Sequence, residues 1–245
     1  MTQLGLPETI GTCLFDLDGV ITKTAAVHEA AWRETFDTFL RRRHGADFRP
    51  FDTHDYNEYV DGRPRADGVR SFLASRGIEI PEGLPGDSAQ EDTVHGLGRR
   101  KNELLLEMIR NEGVEPYPTT LRYIHEVRRL GLKTGVVSSS ANCREVLRSI
   151  RAEDLFDVRI DGLVAEERRL PGKPHPDMFL AAAHDLGSTA SASAVFEDAL
   201  SGIDAARAGR FGFVIGVDRA GQGDAMRAHG ADVVVRDISE LVDWE

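Results

Sequence analysis

Cysteine is scarce, with only Cys13 and Cys143 in a chain of 245 residues. Neither stands in a CxxC pair or in a Cys/His spacing that would hold zinc. Cys13 falls in a predicted buried strand, where it reads as a small hydrophobe. Basic charge is also in short supply: 30 lysines and arginines face 41 acidic side chains, for a formal net charge of -11. A nucleic-acid partner, which would need a basic face, is therefore not expected. An anionic small molecule is still allowed, because a few cations and a metal can reverse the sign inside one cleft. No apolar run approaches the roughly 20 residues that cross a bilayer. The opening MTQLGLPETIGT has no basic segment followed by an apolar core, so no signal peptide is expected. The expectation is a cytoplasmic protein without a membrane partner, and a monomer.

What is present is ordinary for a globular chain: 41% hydrophobic and 29% charged residues. The length suits one domain plus an insertion. Thr12-Cys13-Leu14-Phe15 is short and apolar, as in a strand buried on both faces of a parallel sheet. From about Thr24 to Arg43 the pattern turns helical, with Ala26 and Ala30, and then Trp32, Phe36 and Phe39-Leu40, at three- and four-residue spacings. Further helices are predicted over 54–60, 64–76 and 98–112, and the Pro- and Gly-rich stretch from Ile80 to Gly86 reads as a connection.

From Pro118 the grammar changes to alternating helices and strands. Helices are predicted over Thr120–Leu130, Cys143–Ser149, Pro176–Leu186, Ser201–Ala208 and Ala225–His229. Strands are predicted over Lys133–Val137, Val158–Ile160, Ala194–Phe196, Phe211–Val217 and Val233–Val235, with a short final helix. Such alternation implies right-handed βαβ units and a parallel sheet that includes the first strand. The helical block is then an insertion after that strand. Residues 1–22 and 116–245 form the expected core, and 23–115 the insertion.

Ligands of open parallel sheets bind at the carboxyl ends of the strands. Four such ends carry chemistry. Asp16 and Asp18 leave the first strand two residues apart, on one side. At ~4 Å two such charges repel by about 4 kcal/mol at moderate dielectric, so a divalent cation is their natural partner. A surface turn is the bland alternative. Ser138-Ser139-Ser140-Ala141-Asn142 runs from a strand into a helix N-terminus. That arrangement suits a phosphate, or equally simple helix capping by Ser140 or Asn142. Lys173 stands in a proline-stiffened loop, Gly172-Lys173-Pro174-His175-Pro176, where it can neutralise a phosphoryl group or simply face solvent. Glu197 and Asp198 close another buried strand, either completing a metal shell or favouring a helix N-terminus.

In this order, DLDGV, VVSSS, GKPHPD and EDALSGIDAARAG resemble the four motifs of the haloacid dehalogenase-like phosphohydrolase superfamily, along essentially the whole chain. The resemblance implies an α/β fold: a Rossmann-like parallel-sheet core with a helical cap domain inserted after the first strand. It also implies a magnesium-dependent enzyme. Asp16 would be the covalent nucleophile and Asp18 the general acid and base. Ser138 and Lys173 would hold phosphoryl oxygens. Asp16, Asp18 (through its backbone carbonyl), Glu197 and Asp198 would bind Mg2+.

Finer detail is similar to the β-phosphoglucomutase family, which interconverts β-D-glucose 1-phosphate and glucose 6-phosphate through an aspartyl phosphate and a sugar bisphosphate. The matching segments are FDLDGVIT, the Ser-rich loop and GKPHPDMF. The resemblance makes Thr24, His28, Arg65, Ser139, Ser140 and Asn142 substrate-binding residues. Two positions depart from it: Lys23 stands where relatives carry an acid, and Asp61 where the family usually has a lysine. A sugar-phosphate phosphatase using the same Asp16 is the alternative function. A catalytically idle binding protein is disfavoured by the intact Asp16, Asp18, Lys173 and Asp198.

Overall fold

The computed structural model describes residues 3–242. In chain order the elements are β1 (Thr12–Phe15), α1 (Ala25–His44), α2 (Thr53–Tyr59), α3 (Arg65–Ser75), α4 (Val94–Glu112), α5 (Pro118–Arg129) and β2 (Lys133–Val137). There follow α6 (Cys143–Ser149), β3 (Val158–Ile160), α7 (Gly162–Arg168), α8 (Asp177–Asp185), β4 (Ser193–Glu197), α9 (Leu200–Ala208), β5 (Phe213–Val217), α10 (Gly223–His229) and β6 (Val233–Val235). Short 3-10 turns close several connections. They form two compact units, one made of the chain up to Lys23 and from Val114 onward, the other of Thr24–Gly113.

The first unit is a six-stranded parallel sheet in the order β3-β2-β1-β4-β5-β6. Residues of β1 are buried throughout, because helices cover both faces of the sheet. β1 pairs with β2 on one side and β4 on the other, so that Phe15 lies opposite both Val136 and Phe196. The Phe15 and Phe196 rings stack at 4.4 Å. From β1 the chain winds outward to β3 on one side, then returns to build β4, β5 and β6 on the other. That reversal puts a topological switch point beside the carboxyl end of β1, where parallel sheets bind ligands.

Local signals set the helix ends. Pro118 opens α5 at its first turn, and Gly131 follows its last turn at φ +82°. α7 is a helix that the sequence pattern did not suggest. Its cap is Asp161, whose carboxylate accepts the N–H groups of Leu163 (3.1 Å) and Val164 (3.0 Å).

The second unit is helical and has its own core. Trp32, Phe36, Phe51 and Phe72 pack ring against ring, with Phe36 and Phe72 centred 4.1 Å apart. Thr93 caps α4 by accepting the Gly96 N–H at 2.9 Å. The two chain segments at the border of the first unit pair as a short antiparallel ribbon. Lys23 N–H donates to the Glu115 carbonyl and Tyr117 N–H to the Ile21 carbonyl, both at 2.8 Å. The Lys23 ammonium also pairs with the Glu115 carboxylate, so the unexpected lysine has an acid as its partner across the ribbon. Among the described residues no helix is long and apolar enough to cross a membrane.

Candidate active site

Asp16 is the residue at which β1 leaves the sheet. Its N–H still donates to the Phe196 carbonyl at 2.9 Å, which fixes its backbone in register with β4, and the residue is buried. The chain then turns tightly. The Leu17 carbonyl accepts the N–H groups of Ile21 and Thr22 at 2.9 Å and the Thr22 hydroxyl at 3.2 Å, while Gly19 N–H donates to the Thr22 carbonyl at 2.7 Å. Gly19 has φ +82°, and a Cβ there would overlap the Asp198 carboxylate, so no other residue fits. Asp18, on this loop, is half-buried.

Lys173 enters from the loop before α8 and is 1% exposed. Its ammonium pairs with Asp16 and with Glu197 and donates to the Val137 carbonyl at 3.3 Å, which uses all the donors a lysine has. Its ammonium lies over Phe179, with Nζ 5.1 Å from the ring centre. The Lys173–Pro174 peptide is cis. Burial by itself would lower the lysine's pKa, but Asp16 and Glu197 more than offset this, and the group is held above its ordinary value. For Asp16 burial is the larger influence. Together with the charges of Glu197 and Asp18 it pushes the carboxyl well above the usual range, against the opposing pull of Lys173.

Glu197 and Asp198 end β4 beside Asp16. Both oxygens of Glu197 have protein partners: one pairs with Lys173, the other accepts the Ala199 N–H at 3.2 Å. Gly202, in the first turn of α9, lies directly under that carboxylate, where a Cβ would collide with it. Carboxylate oxygens of Asp16, Glu197 and Asp198 fall within 4.8 Å of one another. Buried acids at this spacing, with a single lysine among them, suit a hard divalent cation and its oxygen-ligand preference. Asp18 contributes no side-chain oxygen to this cluster.

Ser138 leaves β2 next to the carbonyl that Lys173 binds. It is buried, and its N–H donates to the Ile160 carbonyl at 3.0 Å. Its hydroxyl accepts the Ser140 N–H at 3.0 Å, and the Ser140 hydroxyl accepts the Asn142 N–H at 3.2 Å. Asn142 occupies the N-cap position of α6, yet its side chain makes no capping bond. Ser139 and Ser140 pack against the start of α7. Gly162 N–H donates to the Ser140 carbonyl at 3.1 Å, and a Cβ on Gly162 would sit 2.8 Å from the Ser139 oxygen. Asp16, Ser138, Lys173, Glu197 and Asp198 are thus assembled by three adjacent strands and one loop.

The remaining sequence-predicted residues lie in the helical unit. Thr24 is buried at the start of α1, and its carbonyl accepts the His28 N–H at 2.9 Å. The His28 ring Nδ1 is 3.0 Å from the ammonium of Lys101, which is itself buried and lies 5.1 Å from the centre of the Trp32 ring. Arg65 donates to the Asn102 side-chain oxygen at 2.8 Å, and its stem runs over Gly98. Lys101 and Asn102 escaped the sequence reading because, within Gly98-Arg99-Arg100-Lys101-Asn102, they look like any solvated helix face. Only the fold shows that one of those cations is buried.

Comparison with known proteins identifies the family. The family model for haloacid dehalogenase-like hydrolases matches residues 10–210. A Mycobacterium bovis protein named beta-phosphoglucomutase is 50% identical over 98% of this chain and 94% of its own length. A Bacillus subtilis protein of the same name is 32% identical over 95% of this chain and 94% of its own. The solved structure of beta-phosphoglucomutase from Clostridium difficile superposes with a TM-score of 0.74 at 26% identity, covering 95% of this chain and 93% of that one.

Proposed function

The chain belongs to the haloacid dehalogenase-like hydrolase family, and from that premise we propose that it is a β-phosphoglucomutase, interconverting β-D-glucose 1-phosphate and glucose 6-phosphate. The observation that carries the choice of reaction is the 50% identity, along nearly the full length, to a protein of that name. The buried Asp16–Lys173–Glu197 arrangement supports the covalent chemistry.

Asp16 attacks phosphorus with a carboxylate lone pair, the bond to the leaving oxygen breaks, and Asp18 supplies that oxygen with a proton. In the return half, Asp18 takes the proton of the sugar hydroxyl that attacks the aspartyl phosphate, and Asp16 leaves with the bonding electrons. The charge that Lys173 neutralises on Asp16 moves outward onto the phosphoryl oxygens when the phosphate is transferred, and the lysine can follow it with little reorganisation. Ser138 donates to the same group.

Asp16, Asp198 and the Asp18 carbonyl would hold Mg2+. The carboxylate part of that set is on hand in the buried acidic cluster. When bound, the ion neutralises the acids and the phosphoryl group. We assign Glu197, both of whose oxygens already accept, to fixing Lys173. From the family resemblance, substrate binding is carried over to Ser139, Ser140 and Asn142 in the sheet unit and to Thr24, His28 and Arg65 in the helical unit, each taken by itself. The reading has a monomer acting in the cytoplasm on a small sugar phosphate.

The test is one reaction: β-glucose 1-phosphate, Mg2+ and a trace of glucose 1,6-bisphosphate, with glucose 6-phosphate and inorganic phosphate quantified together. Glucose 6-phosphate with little free phosphate is expected, and Asp16→Asn should abolish both products. Free phosphate as the main product would make the protein a phosphatase on the same nucleophile. Turnover that survives Asp16→Asn would remove Asp16 from that role.

A further inference from the structure

Arg219 stands two residues beyond β5, in the loop at the carboxyl edge of the sheet. Its side chain is 18% exposed and is held from several sides. Nη1 donates to the Arg236 carbonyl at 2.6 Å, just past β6. The guanidinium lies over the Tyr117 ring, 3.7 Å from its centre, and Tyr117 is itself tied by its N–H to the Ile21 carbonyl. The Asp237 carboxylate lies 3.7 Å from Nη1 and is fixed in turn by the Thr119 hydroxyl and the Ser239 N–H, each at 2.9 Å. Clamped in this way, Arg219 points Nε at the Gly19 carbonyl, 2.9 Å away.

Gly19 has little freedom in the nucleophile loop. It adjoins Asp18, turns at φ +82°, is bonded through its N–H to the Thr22 carbonyl, and has the Asp198 carboxylate where its Cβ would be. A change at the Gly19 carbonyl therefore moves either the Asp18 backbone or the space that Asp198 occupies. We propose that Arg219 is a positioning residue for the cation-binding loop, acting through the Gly19 carbonyl on the Asp18 backbone and the Asp198 carboxylate. The role needs arginine: a lysine can donate to one carbonyl, but it cannot also stack flat on Tyr117 and fork to Arg236. No family motif named above contains this residue. The inference rests on the proposed Mg2+ site, but not on the identity of the sugar.

The experiment is calorimetric titration of the full chain with Mg2+, alongside thermal melts. The proteins are the unsubstituted chain, Arg219→Met, Arg219→Lys and Arg227→Met. Arg227 is an exposed arginine paired with Asp224 and serves as the control for loss of positive charge. Arg219→Met should bind Mg2+ about 10–100-fold more weakly, as is usual when a group supporting a metal ligand is removed. Arg219→Lys should bind with a weakening of the same order, and Arg227→Met should bind like the unsubstituted chain. In turnover, the loss in Arg219→Met should be recovered by raising Mg2+, with the KM for the sugar phosphate unchanged. If Arg219→Met melts too early to titrate, Arg219→Lys carries the comparison.

Equal Mg2+ affinity in both Arg219 variants and the unsubstituted chain would overturn the proposal while leaving the active-site reading intact. An equal loss in Arg227→Met would overturn it as a bulk charge effect. If the unsubstituted chain binds no Mg2+, the proposed metal site fails and this inference with it. Weakened binding in Arg219→Met by a chain that makes no glucose 6-phosphate would uphold Arg219 and reject only the sugar.

Discussion

Lys173 is the residue on which the site's electrostatics turn. It is the cation shared by two carboxylates that burial has stripped of water, and its charge is held on by those same partners. Removing one member of a buried ion pair leaves an uncompensated charge and costs about 3–5 kcal/mol. Lys173→Met, which keeps an unbranched apolar chain in place of the lysine, should lower the urea midpoint by an amount corresponding to that range. A cost below about 1 kcal/mol would show that Asp16 and Glu197 are compensated by something other than the lysine. The two cysteines illustrate the opposite case. Burial pushes both thiols up, away from the reactive thiolate, and their part is packing.

At the scale of elements, the site depends on close approach between strand ends and the helices that follow them. α9 begins directly beneath Glu197 because Gly202 has no side chain, and a methyl group there must displace the carboxylate that fixes Lys173. Gly202→Ala should therefore destabilise by about 1–3 kcal/mol, the usual cost of overpacking, and should lower kcat as well. The matched control is Gly11→Ala, where a Cβ meets open space. Equal melting temperatures and equal kcat in the two variants would show that α9 can shift without disturbing Glu197. The ribbon formed by residues 21–23 and 115–117 is another such element, and there the Lys23–Glu115 pair, exposed on both sides, adds little to stability.

At the scale of the molecule, the proposed reading asks how Asp16, as nucleophile, would serve a mutase rather than a phosphatase. Asp16 and its partners lie in the sheet unit, while Arg65 belongs to a unit with its own aromatic core. Arg65 is held ready by Asn102 and by the space over Gly98. A hydrogen bond from arginine to a phosphate contributes about 1.5–3 kcal/mol. Arg65→Ala should accordingly lower kcat/KM for glucose 6-phosphate formation by roughly 10–100-fold. It should also raise the share of inorganic phosphate among the products, because a bisphosphate held less firmly leaves the aspartyl phosphate to water. An unchanged product ratio with unchanged kcat/KM would remove Arg65 from the substrate site.

The sequence by itself determined the α/β class, the succession of strands along the chain and most of the residues at their carboxyl ends, while their order in the sheet came from the fold. Those signals are local. Thr12–Phe15, Lys133–Val137 and Val233–Val235 are short apolar runs bounded by turns, and a parallel sheet aligns the carboxyl ends of such runs whatever their distance along the chain. Asp16, Ser138, Glu197 and Asp198 could be singled out on that ground; Lys173, expected at such an end, instead follows α7 and reaches the site from the loop before α8. Partnership was decided only by the tertiary structure, because it depends on which surfaces meet. Lys173 reaches Glu197 as well as Asp16, His28 meets Lys101 from α4, and Arg219 reaches back 200 positions to Gly19. α7 was missed for a related reason. It is a seven-residue helix opening on glycine, held by the Asp161 cap and by packing on the Ser139–Ser140 loop, and neither leaves a periodic trace in the sequence.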